Sequence, residues 1–125
     1  MTKLTITPDC ANSPKKEFLK TFNQSFASGN ASYICSHVSE DIVWEIHGDK
    51  SIKGKQNFSN EIHAMKHNIA DELIIHTIIT HGKEASVNGE IKMGKSTYAF
   101  CDVYRFTSAG NTQIKEIQSY VIQTS

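Results

Sequence analysis

Four strand-like runs at the C-terminal end constrain the fold more than any other feature: "ELIIHTIITHG", "EASVNGEIKMG", "STYAFCDVYRF" and "TQIKEIQSYVIQ". Each is rich in β-branched and aromatic residues, and short connections containing glycine separate them. Runs of this kind, joined this tightly, predict an antiparallel meander.

The segments ahead of the meander read as helices around one strand. Residues 1 to 14 form an extended lead-in with two prolines and little periodicity. Ser13-Pro14 supplies an N-cap followed by proline at the first helical position. Phe18, Leu19, Phe22 and Phe26 then recur at helical spacing, which predicts a helix over 15–28 ended by Gly29-Asn30. A short second helix carries Tyr33, Ile34 and Val38 as its apolar face. "DIVWEIHG" reads as a strand, and "NFSNEIHAMKHN" as a third helix whose Phe58, Ile62, Met65 and Ile69 share one face. Strands segregated from helices in this way predict an α+β domain, a curved sheet with helices packed on one face. One domain over 15–125 follows the lead-in.

Composition narrows the function. Of 125 residues, 13 are basic and 13 acidic, and no run of like charge exceeds two residues, so no nucleic-acid or anionic-membrane footprint is present. No apolar run approaches the roughly 20 residues that span a bilayer. Cys10, Cys35 and Cys101 are widely spaced with no CxxC, which predicts reduced, mostly buried thiols in a cytoplasmic protein. Glycine-rich phosphate loops and the G-x-S-x-G elbow are both missing. His63 and His67 sit four residues apart but without the HExxH glutamate, and no zinc spacing occurs, so no metal site is expected.

The order "ASGN", "EDIVWEIHGD", "SIKGKQNFSNEI", "CDVYRF" and "IKEIQSY" resembles the nuclear transport factor 2-like superfamily over residues 15 to 123. Within it, the segments resemble the ketosteroid isomerase and SnoaL-like polyketide cyclase group. The resemblance implies a cone-shaped fold: a strongly bent, mostly antiparallel sheet wraps the N-terminal helices and leaves a pocket at the open end. It also implies a homodimer. Activity does not follow from the fold, because this fold hosts many chemistries.

Two carboxylates carry the chemistry. Alternation along 98–106 puts Tyr98, Phe100, Asp102, Tyr104 and Phe106 on one face, and an acid among aromatics has its charged form disfavoured. "CDVYRF" is similar to the segment that carries the oxyanion-hole aspartate of ketosteroid isomerase, which implies a hydrogen-bond-donor role for Asp102. "VWEIHG" matches the segment of that enzyme's general base, which implies this role for Glu45, with His47 as an alternative acid or base. Phe22 stands where the isomerase has a tyrosine donor. Trp44, Phe22, Phe100, Tyr98, Tyr104, Ser119 and Val121 are expected to shape the pocket. Ser86, Asn88 and Glu90 alternate along another pocket strand and argue for a small, polar ligand rather than a steroid. Arg105 lies on the face opposite Asp102, which disfavours an epoxide hydrolase arrangement, and Cys101 is expected to face a helix-packed core. The expectation is a small-molecule pocket protein doing cofactor-independent acid–base chemistry of isomerase, cyclase or dehydratase type on a carbonyl-containing substrate. The rival is a non-catalytic ligand-binding or dimerisation domain of the same fold.

Overall fold

Both ends of the first helix are set by local chemistry. Ser13 Oγ accepts from the Lys16 amide at 3.3 Å, Pro14 begins the helix, and Gly29 ends it in the left-handed conformation at φ 80°. A side chain at Gly29 would also collide with the Lys66 carbonyl, so glycine lets the ends of two helices touch. The computed structural model describes residues 2–7 and 13–125. Cys10 lies outside the described residues; Cys35 and Cys101 are half-buried free thiols.

In chain order the elements are β1 (Lys3–Ile6), α1 (Pro14–Ser28), α2 (Ala31–Cys35), β2 (Val38–Ile46), β3 (Lys50–Lys53), α3 (Lys55–Met65), β4 (Glu72–His81), β5 (Glu84–Met93), β6 (Ser96–Phe106) and β7 (Ile114–Gln123). The sheet order is β1-β4-β5-β6-β7-β2-β3. β1 pairs with β4, and β2 with β7, in parallel; every other pairing is antiparallel. The four-strand meander is therefore present, flanked by strands from the N-terminal part. The fold is α+β, with a bent sheet wrapped around the helices as a cone.

Bends come from register breaks. β4 holds one between Ile75 and Thr77, opposite Gly89, where a Cβ would strike the Ile74 carbonyl oxygen. β2 and β6 each break register against β7. A bulge adds a residue to one strand and turns it, so the sheet curls over the helices. The concave face contributes Leu73, Ile75, Val87, Phe106 and Ile117; the helices contribute Leu19, Phe22, Phe58 and Ile62; all are buried.

Two strands were not legible as such. β1 falls in the lead-in, where Thr2 Oγ1 also reaches the Ala70 carbonyl at 2.7 Å, and β3 is four residues long. Val38 opens β2 instead of belonging to the second helix, and Ile69 lies beyond α3 with half its surface exposed. Among the described residues no helix is long and apolar enough to cross a membrane.

Candidate active site

The open end of the cone holds a cavity of about 320 Å³ between α1, α3 and the concave face of the sheet. Its wall is mostly apolar: Phe26, Ile46, Leu73, Ile91, Phe100 and Val121. β6 alternates, so Phe100, Asp102 and Tyr104 all turn toward this cavity, while Cys101, Val103 and Arg105 turn away. β7 adds Ile117 and Ser119, and Ser119 is the register partner of Asp102. Asp49, Lys50 and Glu61 also contribute to the wall, with Lys50 Nζ 2.9 Å from the Glu61 carboxylate.

Asp102 sits at the focus of two hydrogen-bond chains. Trp44 Nε1 donates to Ser119 Oγ at 2.9 Å, and an indole nitrogen can only donate. The serine must accept there, which leaves its own hydrogen for the Asp102 carboxylate, its other partner. On the second side Asn23 Nδ2 donates to the Leu19 carbonyl at 2.9 Å, which fixes the amide orientation. Its other hydrogen goes to the Tyr104 hydroxyl at 3.1 Å. Tyr104 then has two acceptors in reach, Asp102 Oδ2 at 3.3 Å and Asn23 Oδ1 at 3.4 Å. The charged carboxylate is the stronger acceptor. Both chains therefore deliver a hydroxyl hydrogen to Asp102.

The electrostatics follow from this placement. Burial pushes the Asp102 carboxyl up to about 6, against the opposing pull of its Ser119 and Tyr104 hydrogen bonds. Burial, and then the Asp102 charge, drive the Tyr104 hydroxyl well above its ordinary range, so it stays protonated and remains a donor. At pH 7 a carboxyl of this value is about nine-tenths ionised. It is an anionic acceptor facing an apolar cavity, able to take a proton and give it back.

Comparison with solved structures fixes the architecture. An NTF2-like protein of unknown function from Cytophaga hutchinsonii superposes with a TM-score of 0.65 at 24% identity, over 85% of this chain and 97% of its own. A ketosteroid isomerase-like protein from Kribbella flavida gives 0.72 at 10% identity, over 89% and 79%. An LEH-like epoxide hydrolase from Mycobacterium tuberculosis gives 0.70 at 16% identity, over 85% and 80%. The chain has the nuclear transport factor 2-like fold. No family model and no curated protein matches the sequence.

Within the nuclear transport factor 2-like fold, the residues singled out from sequence divide by face. Asp102, Trp44, Phe100, Tyr104, Ser119 and Val121 line the cavity. Glu45 does not: β2 turns Trp44 and Ile46 inward, so Glu45 lies on the outer face between its partners Ser51 and Gln118. His47 follows it outward, stacked on Tyr120 with centroids 4.3 Å apart and bonded to Gln118 Oε1 at 2.9 Å. Ser86, Asn88 and Glu90 are also on the outer face, where Glu90 meets His76 at 2.8 Å, so they say nothing about ligand polarity. Phe22 is fully buried core, edge-on to Tyr104 at 6.0 Å, and forms no part of the cavity wall. Tyr98 shares the Asp102 face but stands outside the wall, opposite Ile91 and Gln123. Cys101 faces the outer surface, 3.6 Å from Ser86 Oγ, because the helices cover the other side.

Asn23 was missed. The available signal was an amide one position after Phe22 and four after Leu19, on the buried side of an amphipathic helix.

Proposed function

We propose that the cavity is a cofactor-independent acid–base site for a carbonyl compound, with Asp102 as the catalytic general base. One observation carries this reading: a carboxyl raised to about 6 faces an apolar cavity with its two hydroxyl donors already oriented by Trp44 and Asn23. Glu45 and His47 have no part in it, because β2 holds them on the other face.

The chemistry balances on one residue. Ionised Asp102 removes a proton from the carbon beside the carbonyl, and the C–H electron pair moves into an enolate. The protonated carboxyl then returns the proton by one of two routes. In isomerisation it goes to the γ-carbon of the dienolate formed from a β,γ-unsaturated carbonyl compound. In dehydration it goes to a departing β-hydroxyl, which leaves as water as the enolate electron pair closes the α,β double bond. Both routes return Asp102 to its ionised form. A base whose value lies near working pH serves both halves of such a transfer. The named activities among solved neighbours, an isomerase and an epoxide hydrolase, support an enzyme acting on a small molecule.

The test is deuterium exchange at the α-carbons of 2-butanone in D₂O, followed by proton NMR. Exchange above buffer should rise with pH about an inflection near 6 and vanish in Asp102→Asn. Exchange equal to buffer would leave a binding domain, the reading favoured by a first helix that offers the cavity no hydroxyl. The same proposal includes a homodimer through the outer face, where Ile79, Val103, Tyr120 and Ile122 are exposed. A monomer in sedimentation equilibrium removes that part.

A further inference from the structure

A second cavity, of about 230 Å³, lies beside the first. α1 and α2 supply Ala27, Ala31 and Ile34, and β5 supplies Met93; Lys66 and Asn68 complete the rim. Phe26, Met65 and Ile91 line both cavities, so together they form the partition. The second cavity is an open-mouthed cleft with the exposed Lys66 and Asn68 at its edge, and its mostly apolar lining suits an apolar guest. Small side chains hold this one open: Ala27, Ala31 and Ala70 are all buried along it, where larger apolar residues would fill the space.

The partition is not uniformly stiff. Phe26 is clamped between rings, 5.4 Å from Phe22 and 5.7 Å from Trp44, and Ile91 is held in the middle of the sheet by register with Leu73 and Tyr98. Met65 is the last residue of α3, half-buried, and its unbranched thioether side chain has three rotatable bonds. It is the partition member that a guest displaces most easily.

We infer that the second cavity is a subsite for the unbranched aliphatic tail of the substrate, reached past Met65, so that the substrate class is a carbonyl compound with a medium-length apolar chain. This deepens the proposed function and rests on it for the position of the carbonyl end at Asp102. Volume agrees. The first cavity alone is at the small end of the roughly 300–1,000 Å³ found for ligand sites, and the second extends it well inside that range.

The experiment is a binding series of straight-chain 2-alkanones, from 2-butanone to 2-decanone, read by quenching of Trp44, the only tryptophan, which lines the first cavity. Affinity should rise about fourfold per added methylene once the tail passes Met65. Met93→Phe and, separately, Ala31→Leu should lower the decanone-to-butanone affinity ratio at least tenfold; the first lies at a strand end, adds no second tryptophan and is the safer fold. Met65→Phe should do the same by closing the passage. A ratio that stays flat along the series, or is unmoved by all three substitutions, overturns the subsite. The two readings fail separately. α-Proton exchange with flat affinities keeps the Asp102 site and removes the tail. Length-dependent binding without exchange keeps the tail subsite and removes the base. No binding at any length removes both.

Discussion

Trp44 and Ser119, 75 residues apart in sequence, meet through a 2.9 Å hydrogen bond whose direction is fixed by the indole. That direction makes Ser119 a donor to Asp102. Ser119→Ala should therefore raise the Asp102 value by about one to two units, since a hydrogen bond to a charge contributes roughly 1.5–3 kcal/mol. Carboxyl NMR and the pH profile of α-proton exchange should move together. Trp44→Phe should shift both the same way by less. An unchanged Asp102 value in Ser119→Ala would break the proposed chain.

Asp102 should also make stability depend on pH. Its folded value, about 6, lies above its ordinary 3.8, so the native carboxyl holds its proton more tightly than the unfolded one. The Asp102 contribution to stability is then greatest below about pH 4, declines as pH rises to about 6, and is level above, a loss of roughly 3 kcal/mol across the window. Asp102→Asn should remove this decline and be the more stable protein at pH 8. Urea unfolding at several pH values reads it directly. A variant less stable than wild type at pH 8 contradicts the argument.

The Asn23–Tyr104 pair should behave as a unit. Tyr104→Phe strips Asn23 of one partner in the core and should cost about 1–3 kcal/mol, the usual penalty for a buried polar group left unpaired. Adding Asn23→Leu should recover part of that loss, because it removes the stranded amide and leaves only the Asp102 carboxylate short of its Tyr104 donor. Chemical denaturation of the two singles and the double closes the cycle. Additive losses would mean that the two residues do not depend on each other.

Glu45→Gln and His47→Asn should each change the exchange rate less than twofold, because both side chains lie on the outer face of β2. A loss of tenfold or more in either variant would return the base to the place first expected for it.

Much of this architecture could be read in advance. Ser13, Pro14 and Gly29 mark the ends of α1 through short-range hydrogen bonds and backbone preference. The meander followed from composition and turns, and alternation put Asp102 with Phe100 and Tyr104. The short strands escaped because β1 and β3 are defined by pairing with β4 and β2, not by any pattern of their own.

What the chain determined locally is parity: Glu45 and Trp44 must point to opposite sides of one strand. Which side is the inside was decided only when the helices covered one face of the bent sheet. That choice moved Glu45, His47, Ser86, Asn88 and Glu90 outward together. It also brought Trp44, Ser119, Asn23 and Tyr104, from four separate elements, around Asp102. Alternation is a property of a few consecutive residues, whereas the inner face is set by burial against elements distant in sequence. A strand read alone therefore offers two equally regular faces and no means of choosing between them.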